Sequence, residues 1–256
     1  MVIKEMIRIL PLSGNTCRRI YYYLPAGYDS STARYPVLYM FDGHNVFFDA
    51  VATYGKCWGM KEFMDRERLN LIIVAVECNH EGNARLSEYS PWGFLARGLG
   101  HIAPMGDQYM EWLVNVLKPM VDRRFRTKPQ REFTSIGGSS MGGLMSVYGI
   151  CRYNHIFSRA AALSPSLWTA PGKITQMIRS TEFDPDTVIY MDYGSEELKN
   201  HEKSAQALKR AAGAFLDCRV NICMRIVPGG QHCEASWERQ IPVFMRCLGF
   251  YRETLT

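Results

Sequence analysis

Gly138-Ser139-Ser140-Met141-Gly142 is a Gly-x-Ser-x-Gly pentapeptide set between a strand-like run, Glu132-Phe-Thr-Ser-Ile136, and a helix-like run, Leu144-Met-Ser-Val-Tyr-Gly-Ile150. A serine on a sharp strand-to-helix turn projects its hydroxyl from the top of a sheet, and the flanking glycines leave space that a Cβ would fill. Ser140 is therefore the candidate nucleophile. A serine hydroxyl is a weak nucleophile at neutral pH, so it needs a histidine base within hydrogen-bond reach and a third group to hold the imidazole. In a hydrolase of this build the chain order is serine, acid, histidine. Of the six histidines, only His155, His201 and His232 follow Ser140. His155 comes just after the helix that Ser140 opens and His201 sits at the polar start of another helix, so both read as surface residues. His232 lies in Pro228-Gly-Gly-Gln-His-Cys-Glu234, a glycine-rich loop after the last strand-like run, where a side chain can turn into a crevice. The alternative for it is a helix-capping role.

The acid is expected in the loop after the preceding strand, Asp192-Tyr-Gly-Ser-Glu-Glu197. Asp192 falls inside the strand-like run, whereas Glu196 and Glu197 lie on the turn beyond Gly194. Consecutive turn residues point different ways, so one of the two faces His232, and spacing does not choose between them. Acyl transfer also needs donors for the oxyanion of the tetrahedral intermediate, each contributing about 3 kcal/mol. The backbone N–H of Met141 is one candidate. The other is the N–H of His44, in Asp42-Gly43-His44-Asn45, where Gly43 permits a sharp turn.

These residues must be held by something, and the pattern of runs says what. Strand-like runs span 4–10, 17–24, 36–41, 71–76, 133–136, 160–163, 188–193 and 220–227. The first two read as an antiparallel edge pair joined through Ser13-Gly14-Asn15. Helical patterns at 60–68, 109–124, 141–151, 173–180, 202–215 and 237–250 alternate with the later strands. The fold class is α/β: a mostly parallel central sheet with helices on both faces and an antiparallel N-terminal edge. Ligands in such sheets bind beyond the carboxyl ends of the strands. The segment 79–106 follows a strand, carries Arg85, Glu88, Tyr89 and Trp92, and reads as a long irregular loop, either folded over the crevice or packed on the surface.

The chain has 256 residues, 47% hydrophobic and 21% charged, which suits one globular domain spanning 1–256. The net charge of +5 is dispersed, and its densest run, Arg123-Arg124-Phe125-Arg126, is too short for a nucleic-acid patch. The N-terminal residues alternate charged and apolar instead of forming an export signal, and no window reaches membrane-span length. The eight cysteines include no Cys-x-x-Cys pair, so reduced thiols in a cytoplasmic protein are expected. Cys78-Asn79-His80, and Cys218 with Cys223, each lack a second matched pair, so no metal is expected.

Taken together, Asp42-Gly-His-Asn-Val-Phe47, Arg85 with Glu88-Tyr-Ser-Pro-Trp92, Gly138-Ser-Ser-Met-Gly-Gly143, Ser164-Pro-Ser-Leu-Trp168, Gly194-Ser-Glu-Glu197 and Gly230-Gln-His-Cys-Glu-Ala-Ser-Trp237 resemble the Putative esterase family of α/β-hydrolases. That family includes enterochelin-type siderophore esterases, feruloyl and acetyl-xylan esterases, S-formylglutathione hydrolase and mycolyltransferases. The resemblance runs from about residue 20 to 250. It implies an acid three residues after the glycine, Glu197, an oxyanion donor after Asp-Gly, His44, and a pocket lined by Trp168. The chain departs from the pattern at Cys233, where many relatives have Asn, and at His44, where they often have Gln or Leu, so substrate preference does not carry across.

The expected function is a serine carboxylic-ester hydrolase acting through an acyl-enzyme on small acyl, sugar or siderophore-type esters, with Arg85 available to an anionic substrate. Acyl transfer to a sugar or alcohol is the enzymatic alternative, and a non-catalytic binding module is the other. No cofactor is expected, the partner is a small ester with neither nucleic acid nor membrane, and a homo-oligomer is left open.

Overall fold

The computed structural model describes residues 1–9, 12, 16–199 and 201–251. Eight strands form one sheet: β1 (Val2–Arg8), β2 (Cys17–Tyr23), β3 (Val37–Met40), β4 (Ile72–Val76), β7 (Thr134–Ser139), β8 (Arg159–Leu163), β9 (Val188–Gly194) and β10 (Asn221–Val227). Their order is β1-β2-β4-β3-β7-β8-β9-β10, with β1 and β2 antiparallel to their neighbours and every later pairing parallel. The turn expected at Ser13-Gly14-Asn15, and Leu10 at the end of the first expected strand, lie outside the described residues.

Alternation along the strands splits the core in two, because successive side chains leave opposite faces of a sheet. Ile20, Tyr22, Val37, Tyr39, Ile72, Val74, Ala160 and Ala162 belong to one apolar cluster. Their neighbours Tyr21, Tyr23, Leu38, Met40, Ile73, Ala75, Ala161 and Leu163 belong to the other. A sheet buried on both faces is built from near-continuous apolar runs, as Ile72-Ile-Val-Ala-Val76 shows with all five residues buried.

Three expected elements differ from the structure. The helix expected at 109–124 begins at Gly106 and widens into a π turn at Leu113–Leu117 before Lys118–Arg124. Pro119 has no N–H for the carbonyl four residues back and its ring crowds it, which accounts for the wider turn just upstream. The helix expected at 237–250 is two, Glu234–Glu238 and Ile241–Cys247, and Pro242 in the first turn of the second prevents the ladder from running through. The segment 79–106 is not an irregular loop: it contains a short helix, Ala84–Glu88, and a two-stranded hairpin, β5 (Phe94–Ala96) with β6 (Gly100–Ile102). Two Arg–carboxylate pairs pin it to the sheet. Arg18 on β2 pairs with Glu88, both buried, and Arg85 forms a fork on Asp42 beyond β3.

Candidate active site

β7 ends at Ser139, and Ser140 turns the chain into the helix Met141–Arg152. Ser140 holds φ 57° and ψ −122°, a conformation costly for a residue with a Cβ and one that persists only where the surroundings impose it. The helix locks it from one side, with the Leu144 N–H on the Ser140 carbonyl at 3.0 Å. β8 locks it from the other, where the Ser140 N–H reaches the Leu163 carbonyl at 3.0 Å. Gly142 is needed for this bend, since a Cβ there would lie 2.8 Å from Cβ of Phe41 at the end of β3.

His232 reaches the turn from the loop after β10. Its Nε2 lies 3.0 Å from Ser140 Oγ and its Nδ1 lies 2.6 Å from Glu197 Oε2. The turn carrying Glu197 and the loop carrying His232 are stitched together by the Glu196 N–H on the Gly230 carbonyl at 3.1 Å and the Gly229 N–H on Ser195 Oγ at 2.9 Å. Glu197 therefore faces His232. Glu196 points outward and accepts from Lys199 Nζ at 2.6 Å. Asp192, the third carboxylate of that stretch, is fully buried and accepts from the Tyr190 hydroxyl at 2.7 Å, with burial pushing its carboxyl up to about 6.

The other oxygen of Glu197 is also occupied. Oε1 accepts from Ser164 Oγ at 2.7 Å and from the Gly194 N–H at 2.9 Å, and Ser164 Oγ in turn accepts from Trp237 Nε1 at 3.1 Å. Burial alone raises a carboxyl, but the hydrogen bonds from His232, Ser164 and Gly194 outweigh it and hold Glu197 below its ordinary range. A row of Trp237, Ser164, Glu197, His232 and Ser140 results, in which each group fixes the next. Ser164 was not singled out on its own from the sequence: it sits at the end of β8 with φ 43°, and only the adjacency of β8 and β9 puts its hydroxyl on Glu197. Trp237 packs edge-on to the His232 ring at 5.1 Å between centroids.

On the opposite side lies the loop after β3. Asp42 takes φ 54°, and Gly43–Asn45 forms a 3-10 turn in which His44 is buried. Among the described residues neither the His44 N–H nor the Met141 N–H meets a protein acceptor. Asn45 ties the loop to the histidine side, donating from Nδ2 to Glu234 Oε1 at 3.2 Å and accepting the Thr53 N–H at 2.9 Å. Arg85, expected to be available to a substrate anion, instead donates from Nε and Nη2 to the two Asp42 oxygens, each at 2.7 Å. Burial raises the Asp42 carboxyl, but the Arg85 charge and its hydrogen bonds, with smaller help from His44 and Cys78, together outweigh it, and the net position is below its ordinary value.

A cleft of about 1150 Å³ opens beside His232, lined by Ser164, Trp168, Tyr193, Glu197 and Gln231. Its rim carries Glu196, Lys199, His201, Glu202 and Lys203. Trp168, 44% exposed, stands at the lip and packs edge-on against Phe94 of β5 at 5.8 Å, so the 79–106 segment reaches the cleft through this contact. His155 lies away from this cleft, after the helix Met141–Arg152. Chemically, a hydroxyl hydrogen-bonded to an imidazole that is itself held by a carboxylate is suited to giving up its proton as it attacks an electrophilic carbon.

A mostly parallel sheet with an antiparallel edge, a serine on the strand-to-helix turn and a histidine after the last strand define an α/β-hydrolase. The chain belongs to the Putative esterase family, whose model matches residues 13–243. Membership places it among esterases. Among solved structures it is similar to an IroE-like serine hydrolase from Shewanella oneidensis, with a TM-score of 0.74 and 18% identity over 93% of this chain and 77% of that one. It is also similar to the siderophore hydrolase EstB from Aspergillus nidulans, with a TM-score of 0.72 and 17% identity over 98% of this chain and 97% of that one. By sequence it is 25% identical over 230 residues to the uncharacterized protein YbbA of Bacillus subtilis strain 168, covering 84% of this chain and 86% of YbbA. Among the described residues no helix is long and apolar enough to cross a membrane.

Proposed function

We propose that the protein is a serine carboxylic-ester hydrolase working through an acyl-enzyme, with Ser140 as nucleophile, His232 as base and then acid, and Glu197 orienting the imidazole. The carrying observation is the pair of contacts at His232, 3.0 Å to Ser140 Oγ and 2.6 Å to Glu197 Oε2. Ser140 Oγ attacks the ester carbonyl as its proton passes to Nε2. The N–H groups of His44 and Met141 stabilise the oxyanion, and the proton then moves from Nε2 to the departing alkoxide. Water enters by the same base and releases the acid. Glu197 stays ionised throughout, which its three hydrogen-bond contacts favour.

The site supports polar esters of modest size. Its cleft has one large exposed aromatic, Trp168, for an acyl or alcohol ring, and a rim of both charge signs that suits hydroxyl-bearing sugar or siderophore-type groups. Siderophore hydrolysis is named for one of the folds it resembles, EstB of Aspergillus nidulans, and lends support to that substrate class. Hydrolysis is favoured over acyl transfer by one feature: His232 is about half exposed, at 48% of its side chain, so water has direct access to the base. The test is turnover of p-nitrophenyl acetate by Ser140→Ala. Loss of activity to the background rate is expected, and wild-type turnover would overturn the mechanism.

A further inference from the structure

β3 and β4 are parallel neighbours with Met40 beside Ala75, so the chains leaving their carboxyl ends emerge side by side. Four residues beyond Met40 is His44, and beyond β4 come Cys78 and His80. The β3 loop is pressed onto β4 so closely that a Cβ on Gly43 would lie 2.5 Å from the Ala75 carbonyl oxygen. Sequence spacing alone gives Cys78 and His80 no partner. The register supplies one: a ligand atom from each of His44, Cys78 and His80 falls within 4.8 Å of the others.

The state of His44 points to a use for this cluster. The residue is 4% exposed, and its Nδ1 is buried without a hydrogen-bond partner. Its Nε2 is 2.9 Å from Thr53 Oγ1. When Nε2–H donates to that hydroxyl, Nδ1 carries the lone pair, the arrangement by which a second ligand shell orients a metal-binding imidazole. The His80 ring stands edge-on to it at 4.5 Å between centroids.

We propose that His44 Nδ1, Cys78 Sγ and a His80 ring nitrogen form a binding site for Zn²⁺ or a similarly thiophilic divalent ion, beside the ester site and sharing with it the residue His44 but no ligand atom. One thiolate and two imidazoles are a ligand set that zinc takes, with the fourth position left to water. Tetrahedral zinc needs ligand atoms about 3.3–3.8 Å apart. His80 is exposed and free to swing the remaining distance, while His44 and Cys78 are fixed by burial. On binding, the Cys78 S–H bond breaks, sulfur keeps the electron pair for the metal, and the proton goes to solvent. No electron transfer is involved.

The experiment is titration of chelator-stripped full-length protein with Zn²⁺ against a chromophoric competitor, and with Co²⁺ as an absorbing stand-in. One ion per chain is expected, with a thiolate-to-cobalt charge-transfer band. His80→Ala, an exposed substitution that spares the fold, weakens Zn²⁺ binding at least ~10-fold. Cys78→Ser abolishes the band. Equal affinity in His80→Ala overturns the proposal, as does a band that survives Cys78→Ser and disappears in Cys223→Ser. Because the readout is metal binding and not turnover, its failure leaves the ester site untouched, and failure of the esterase reading leaves the metal site untouched.

Discussion

Glu196 and Glu197 are neighbours in sequence with opposite surroundings. The Glu197 side chain is 7% exposed and takes hydrogen bonds from His232, Ser164 and Gly194, whereas Glu196 is exposed at the rim and paired with Lys199. A surface pair of that kind contributes little, about 0–1 kcal/mol. Replacing Glu197 by Gln is therefore expected to lower kcat for p-nitrophenyl acetate by about 10²–10⁴-fold, and Glu196→Gln by less than about 3-fold. The reverse order moves the orienting role to Glu196. Residue types and chain order were enough to single out Ser140 and His232 as partners. They could not separate the two glutamates, because the choice depends on which way the turn after Gly194 winds onto Gly230. Nor could they reveal that Ser164 and Trp237 support Glu197, since that contact requires β8 and β9 to be side by side.

At the scale of elements, the β3 loop and the 79–106 segment are joined by the Arg85–Asp42 fork. Removing one partner of such a pair leaves an uncompensated charge, with a cost of about 3–5 kcal/mol when buried. Arg85 retains 29% exposure, so the lower end of that range is expected for Arg85→Ala in denaturant unfolding. The same change is expected to lower kcat for neutral and anionic esters alike, because it releases the loop bearing His44. Selective loss toward anionic esters would instead give Arg85 a substrate. The pH dependence has a definite sign. Asp42 is held below the ordinary aspartate value of 3.8, so the pair's contribution is complete above 3.8 and is lost as pH falls through the lower folded value. Wild type is expected to lose stability in that acid window more steeply than Asp42→Asn. From the sequence this segment read as irregular because its helix and strands are only three to five residues long, too short for periodicity to register.

The whole molecule is a sheet with a core on each face, and that much was legible in the alternation and length of the apolar runs. Breaks inside helices were less so, since Pro119 and Pro242 act through the carbonyls they crowd or leave unpaired. Cys78 and His80 stood out as a pair without a partner, but His44 as their third member was invisible, because it arises from strand order β4-β3 and not from spacing. Behind His232 the second core contains Trp58, Trp237 and Phe244, with Trp58 5.8 Å from Trp237 and 6.3 Å from Phe244 between centroids. Phe244 is 1% exposed, so Phe244→Ala is expected to cost about 3–5 kcal/mol in denaturant unfolding while leaving the chemistry groups in place. A cost below about 1 kcal/mol would show that this core does not support the loop. The loops after β9 and β10 converge on one hydroxyl through Glu197 and His232, and covalent trapping reads that convergence directly. A fluorophosphonate probe, followed by peptide mass spectrometry, is expected to label Ser140 in the wild type, with the labelling rate at least ~10²-fold lower in His232→Ala. Labelling of a different serine, or an unchanged rate in His232→Ala, would contradict the account.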